Sequence, residues 1–452
     1  MNYDLIVIGG GAAGLAAARE GQRRGARTAL VSDSPLGGDC TFTGCVPSKA
    51  VIEAAHRGAS FTEAFARARQ VIDRIAATEN AEVLRSEGID VIEERARFTE
   101  PGVLDAGGTR LTAGSVVIAT GSEPVVPPIS GLADAPHVTN ETFFDLTNSP
   151  GRLAILGGGP IGVEMAQATA RLGVETTLIE GADRVLGREE PAASEVVARA
   201  LGADGVEVVT GSFVERVQSN AGTACLVTAS GTEVNADLIL VAVGRRANTA
   251  GLGLEDVGVD LDNRGHVVTD DKLLSTGSKI WAAGDVTGRL ALTHAADEMG
   301  RLAVMNATGR RPVRYRSDWT PWVTFTDPEV ARVGMTEAEA AEHGGRVAEL
   351  PLSELDRAIT AGRTDGFIKL IAGPRKVLRN RGGGQILGAT IVAERAGEMI
   401  HEPVLAMRTR MFAGRLAQAV HAYPTWSMGI QKTAAQLFIE VEGRTARPAR
   451  SR

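Results

Sequence analysis

Cysteine is scarce in this chain: three in 452 residues, at positions 40, 45 and 225. That is too few for a secreted scaffold stapled by disulfides. Aromatic residues make up only 4%, which leaves little to stack on nucleic-acid bases. Positive charge is also short, and a formal net charge of −7 argues against a polyanion binder, so no nucleic-acid partner is expected. The one basic cluster, Arg444 to Arg452, reads as a frayed, solvated terminus. No apolar run approaches the roughly 20 residues that span a bilayer, so no membrane partner is expected either. The chain enters an apolar strand at Leu5-Ile6-Val7-Ile8, leaving no room for a cleavable leader, which implies a cytoplasmic address. In that compartment a close pair of cysteines points to redox or metal chemistry. A zinc site needs further Cys or His nearby, and the nearest histidine in sequence is His56, so no metal-ligating set is expected.

Glycine, by contrast, is abundant at 54 residues. Two segments share one pattern of apolar strand, glycine turn and small-residue helix. The first is Asp4-Leu5-Ile6-Val7-Ile8 with the turn Gly9, Gly11 and Gly14; the second is Arg152-Leu153-Ala154-Ile155-Leu156 with Gly157, Gly159 and Gly162. Each runs through a helix into a second apolar strand, so a βαβ dinucleotide-binding unit occurs twice. One such turn is a weak signal, but two in strand-to-helix context are strong. A pyrophosphate must approach backbone N–H groups at the helix N-terminus, where a Cβ would block it. Glu180 closes the second unit's second strand, and a carboxylate there accepts ribose hydroxyls and repels a 2′-phosphate, favouring NAD(H) over NADP(H). In the first unit the strand ends in Ser32-Asp33; Asp33, or Ser32 with a water, fills that role. Residues 60–85 read as one long helix, Val116 to Ala119 and Leu238 to Val243 as strands, and the chain from about Asp318 as a separate α+β domain.

The stretch Gly37-Gly38-Asp39-Cys40-Thr41-Phe42-Thr43-Gly44-Cys45-Val46-Pro47-Ser48-Lys49 is the most informative. It resembles the redox-disulfide motif of the class I pyridine nucleotide-disulfide oxidoreductases, which include lipoamide dehydrogenase, glutathione reductase and mercuric reductase. The resemblance extends over nearly the whole chain, through Ala119-Thr120-Gly121, Gly244-Arg245, Trp281-Ala282-Ala283-Gly284-Asp285-Val286 and Phe325-Thr326-Asp327-Pro328-Glu329. It implies FAD, a Cys40–Cys45 disulfide, Cys45 facing the flavin as a thiolate, and Cys40 as the thiol that meets substrate. Helical Cα atoms five residues apart lie roughly 8–9 Å from each other, whereas a disulfide needs less than about 7 Å. The helix must therefore break between the cysteines, and Gly44 permits it. A helix N-terminus at Cys45 would favour its thiolate. The resemblance also implies that Lys49, one of six lysines, lies by the flavin and pairs with Glu164, and that Asp285 holds the ribityl or phosphate region. Gly38, Ala96, Gly121 and Gly244 complete the expected cofactor set, and Cys225 reads as a small buried residue.

The resemblance breaks at the C-terminal side. Thiol-exchanging members carry His-Pro-Thr and a following glutamate, the histidine serving as acid/base across a dimer interface. Here the stretch reads His421-Ala422-Tyr423-Pro424-Thr425-Trp426-Ser427-Met428, with Tyr423 at the histidine position and Met428 at the glutamate position. A phenol with a pKa near 10 is a poor base but donates hydrogen bonds and contacts metals. His421 is the other candidate for acid/base work. Mercuric reductases have a tyrosine in this region, together with a C-terminal cysteine pair, and no cysteine follows Cys225.

The expected architecture is α/β: two Rossmann-like domains, for FAD (residues 1–147 and 277–317) and NAD(P) (148–276), plus a C-terminal α+β dimerisation domain (318–452). The expected enzyme is a homodimer with its active site shared across the interface. It passes electrons from NADH through FAD to a small-molecule or metal-ion acceptor such as a small disulfide or a thiophilic metal. Two rivals are a flavin-only NAD(P)H:quinone reductase or oxidase and a non-catalytic docking subunit.

Overall fold

The computed structural model describes every residue except Ala221, Leu378 and Arg452, and the backbone alone of Asn220. Arg452, the end of the basic tail, thus lies outside the described residues. By contacts the chain divides into two compact units: 1–128, 136–150 and 238–317 in the first, and 129–135, 151–237 and 318–452 in the second.

The first unit is built on a sheet whose central strand is β1 (Asn2–Ile8). Going one way, β1 pairs in parallel with β2 (Thr28–Val31), which pairs with β3 (Asp90–Ile92). Beyond β4 (Ala96–Glu100) and β5 (Val103–Ala106), β6 (Thr109–Ile118) pairs with β1 on its other side and with Ile280–Ala282. Alternate residues of β1 face opposite ways. Leu5 and Val7 join a core formed with helix α1 (Ala12–Arg23) and the helix Thr293–Thr308. Ile6 and Ile8 join a second core that includes Leu252, Leu254, Val257, Val259 and Val267. Residues 252–267 therefore pack inside the first unit, although the boundary drawn from sequence at 276/277 assigns them to the nucleotide segment before it.

The expected long helix over 60–85 is interrupted. Helix α2 (Gly38–Phe42) and helix α3 (Cys45–His56) are followed by helix α4 (Phe61–Ala76), and a separate helix covers Ala81–Ser86. Ser60 and Glu63 form a reciprocal capping box at the start of α4. Asn80 stops the continuation, because its side chain accepts the Val83 N–H and caps a new helix.

In the second unit, Arg152–Leu156, Glu175–Ile179 and Glu207–Val209 pair in parallel, with the helix Pro160–Arg171 after the glycine turn. Val214–Asn220, Thr223–Thr228 and Glu233–Ala236 form an antiparallel ribbon in which Cys225, half-buried, faces Asn235. The C-terminal part is an antiparallel sheet with the central order Glu329–Gly334, Gln385–Ala393, Phe367–Gly373, Arg346–Pro351. The frayed basic tail is a misreading. Arg447–Pro448 adds a strand to this sheet, Arg447 pairs with Glu337, and Arg444 pairs with Glu354 at 2.7 Å. Arg444 and Arg447 are tied to specific carboxylates, so this part of the tail is strapped to the domain. Among the described residues no helix is long and apolar enough to cross a membrane.

Candidate active site

In the first unit the site starts from the turn between β1 and α1. A methyl group on Gly14 would overlap the carbonyl oxygen of Gly9, so only glycine lets helix and strand approach this closely. At Gly11 the same methyl would meet nothing within 4 Å. That open cradle at a helix N-terminus has the shape and polarity for a pyrophosphate. The second unit repeats both features at Gly162 and Gly159. Ser32 is buried, its hydroxyl donating to the Ser34 carbonyl at 3.0 Å, while Asp33 is exposed. Ala96 pairs with Ala106 across β4 and β5, its side chain in the core.

The cysteine segment leans on this turn. Gly37 N–H donates to the Gly10 carbonyl at 2.9 Å, and a methyl on Gly38 would stand 2.8 Å from the Gly11 Cα. Helix α2 then stops at Phe42, Thr43 and Gly44 leave the helical region, and α3 restarts at Cys45. The expected break is there, and a methyl on Gly44 would stand 2.8 Å from the Asp39 carbonyl oxygen. Both cysteines are thiols in this structure, Cys40 half-buried and Cys45 exposed. The Cys45 sulfur lies 3.4 Å from the Thr293 hydroxyl, the first residue of Thr293–Thr308. Two helix N-termini thus present their positive ends to this sulfur, which favours negative charge on it. The Cys40 thiol is pushed well above its usual range by its hydrogen bond to Cys45 and by burial. Cys40 therefore keeps its proton, with Cys45 as its hydrogen-bond partner.

Asp285, flanked by Gly284, accepts the Ser122 hydroxyl at 2.7 Å, one residue after Gly121. Arg245, following Gly244, donates to the Ser122 hydroxyl at 2.8 Å and its carbonyl at 2.7 Å, and pairs with Asp39. The gathering of Asp39, Ser122 and Asn140 around Arg245 was not expected, nor was Thr293 beside Cys45. Arg245 was visible in sequence only as part of the Gly244-Arg245 motif that carries the family resemblance, and Thr293 carried no signal at all. Glu79, set free where the long helix breaks, accepts the Thr41 hydroxyl at 3.1 Å and adds negative charge near Cys40.

In the second unit Glu164 is buried in the helix Pro160–Arg171, its Oε1 accepting the Phe325 N–H at 2.8 Å. Lys49, in α3, belongs to the first unit. Glu180 sits just past its strand, its two oxygens accepting the Gly158 and Ala182 N–H groups at 2.6 and 2.7 Å. Tyr423 is 68% exposed. Its hydroxyl donates to Asp356, whose charge pushes the phenol further up. His421 is different. Its Nε2 lies 3.0 Å from Glu402 and its Nδ1 2.9 Å from the Ala419 carbonyl. Burial disfavours its charge, but Glu402 and the Ala419 carbonyl outweigh this and raise the imidazole pKa. With both ring nitrogens turned to acceptors, the protonated imidazole is the favoured form and both nitrogens are engaged within the chain. Among the described residues no group of three or more His, Cys, Asp or Glu could hold a metal ion.

Comparison with known proteins identifies the family. The family described as pyridine nucleotide-disulphide oxidoreductase matches residues 3–300, and its dimerisation domain matches residues 320–434. A mercuric reductase from Acidithiobacillus ferrooxidans is 36% identical over 96% of this chain and 82% of its own. A dihydrolipoyl dehydrogenase from Thermus scotoductus is 33% identical over 96% of this chain and 97% of its own. Among solved structures, the HOCl-induced flavoprotein disulfide reductase RclA from Escherichia coli superposes with a TM-score of 0.88 at 30% identity, covering 96% of this chain and 99% of that one. RclA has also been solved as a Cu(II) complex. The chain therefore belongs to the pyridine nucleotide-disulphide oxidoreductase family, as an FAD-dependent enzyme with two nucleotide-binding folds and a dimerisation domain.

Proposed function

We propose that this enzyme oxidises NADH, reduces a Cys40–Cys45 disulfide, and delivers two electrons from the resulting dithiol to a thiophilic metal ion or, second, to a small disulfide. The observation that carries the reading is the broken helix. The break at Thr43–Gly44 puts Cys45 at the head of α3 with its sulfur 3.4 Å from Thr293, while Cys40 keeps a proton. The glycine cradle at Gly9, Gly11 and Gly14, with Gly38, Gly121 and Asp285, would hold FAD. The turn at Gly157, Gly159 and Gly162, with Glu180, would hold the nicotinamide nucleotide. When bound, FAD supplies the two-electron relay between nicotinamide and sulfur.

The chain's own residues do the rest. Two electrons and one proton delivered to the pair cleave the S–S bond, leaving a thiol at Cys40 and a thiolate held by helix ends at Cys45. Oxidation of both sulfurs by a two-electron acceptor re-forms the bond and releases the proton. The Glu180 carboxylate favours NAD(H), because it would repel a 2′-phosphate. Lys49 and Glu164 are the charged residues that would serve the flavin in this reading. The metal ion ranks ahead of the disulfide because exchange with a disulfide needs a base that takes the proton of the attacking Cys40 thiol and returns it to the leaving thiolate. His421 is tied to Glu402, and Tyr423, its hydroxyl donated to Asp356 and its pKa raised, is a donor rather than a base. Mercuric reductases among the relatives and the Cu(II) complex of RclA point the same way. The active form is a homodimer in which Tyr423 serves the partner's cysteine pair.

The test is an anaerobic NADH titration followed by turnover with Hg(II), Cu(II), oxidised lipoamide, glutathione disulfide and a quinone. A long-wavelength thiolate–flavin absorbance after two electrons, and loss of Hg(II) or Cu(II) reduction in Cys45→Ser, are expected. Full metal and disulfide turnover in Cys45→Ser would refute the reading and leave a flavin-only quinone reductase. Turnover with NADPH equal to that with NADH would overturn the role of Glu180.

A further inference from the structure

The segment between the two cysteines must hold a non-helical backbone in both oxidation states, and something must hold it there. Thr43 has φ −135° and Gly44 φ −127° with ψ −114°, so neither is helical. Thr43 is pinned from two sides. Its hydroxyl donates to Asp39 Oδ1 at 2.7 Å, and its carbonyl accepts from Asn140 Nδ2 at 3.1 Å. Both routes end on one side chain. Arg245 pairs with Asp39 Oδ2 through Nη2, and its Nη1 lies 3.5 Å from Asn140 Oδ1. The same guanidinium is anchored by the Ser122 hydroxyl and carbonyl and stands 3.9 Å from Asp285. The short strand Arg245–Ala247, paired with Ser122–Pro124, fixes the arginine backbone.

We propose that Arg245 is the positioning residue of the cysteine pair: its planar fork locks Asp39 and Asn140 onto Thr43, and so holds Cys40 and Cys45 beside each other. A guanidinium suits the task because it donates in several fixed directions at once, which an ammonium does not. Without it, Asp39 and Asn140 lose their common anchor, the kink gains conformational freedom in the dithiol, and the effective concentration of one thiol at the other falls. The disulfide then becomes easier to reduce. This inference builds on the redox role of the pair, but its central quantity, the thiol–disulfide equilibrium, exists whether or not electrons pass through the pair in turnover.

The experiment equilibrates the full-length flavinated protein with glutathione buffers of graded ratio. In these buffers Cys40 and Cys45 thiols plus one glutathione disulfide give the intramolecular disulfide plus two glutathione thiols. Alkylation and mass measurement then count the free thiols. In Arg245→Met the midpoint should move towards the dithiol by about tenfold in the equilibrium constant, with Arg245→Lys intermediate. Asn140→Ala and Thr43→Val each remove one route and should move it the same way by less. They keep the test open if Arg245→Met does not fold. Midpoints within about twofold of wild type in all folded variants, against the roughly tenfold shift expected, would overturn the proposal. Cys45→Ser turnover tests the redox role separately. If it retains activity while Arg245→Met shifts the midpoint, the positioning role stands and the electron route falls.

Discussion

Tyr423 and His421 lie two residues apart, yet their environments send them to opposite tasks. His421 is wedged between Glu402 and a carbonyl, a charged clamp within its own domain. Tyr423 stands out in solvent with its hydroxyl on Asp356, which supplies from another helix the carboxylate that Met428 lacks. Tyr423→Phe should therefore lower metal-ion turnover by about a hundredfold, with NADH-to-ferricyanide turnover as the control that stays near wild type. His421→Gln should cost about 1 kcal/mol of stability by chemical denaturation, the size of one hydrogen bond, and leave steady-state turnover near wild type. The reverse pattern would assign acid/base work to His421.

At the level of elements, the break between α2 and α3 was legible because two numbers conflict: the helical spacing of five residues and the reach of a disulfide. The break in the 60–85 helix was not legible, since Ala, Glu and Arg dominate there and the cap at Asn80 competes by a single side-chain contact. The strapped tail was missed for a related reason, because arginines read alike whether solvated or paired. Gly44→Ala places its methyl 2.8 Å from the Asp39 carbonyl oxygen. It should destabilise the first unit by about 1–3 kcal/mol, measured by thermal unfolding with FAD fluorescence. It should also slow re-formation of the disulfide, followed by alkylation.

On the scale of the molecule, the second unit collects several shifted acids, and their signs give a pH profile. Burial pushes the Glu329 carboxyl up to about 7, although the Gly397 N–H at 2.8 Å and Arg395 work against it. Its contribution is complete below the unfolded value of 4.5 and is lost as pH rises through 7. His421, also raised, contributes fully below the unfolded value of 6.5 and loses that contribution above it. Glu337 behaves oppositely. Burial is outweighed by Arg447 and Lys369, which bring it down to about 2, so its contribution is present above 4.5 and lost as pH falls through 2. From these groups, stability of the second unit should peak near pH 5 and fall on both sides. Unfolding midpoints measured from pH 3 to 8 check this. Glu329→Gln should flatten the limb between pH 4.5 and 7, and an unchanged slope there would discard the buried-acid explanation.

The sequence by itself determined the two nucleotide folds, the family and the cysteine pair. Strand periodicity, glycine turns and a five-residue spacing are local, and local patterns are written directly in residue order. Only the tertiary structure decided what surrounds the sulfurs. Arg245, Asn140 and Thr293 reach the cysteine segment from 97 to 248 residues away along the chain. Tertiary packing also separated Tyr423 from His421, through Asp356 and Glu402 on other helices. Such contacts follow from which strands lie side by side in the folded sheet, and chain distance carries no trace of that order.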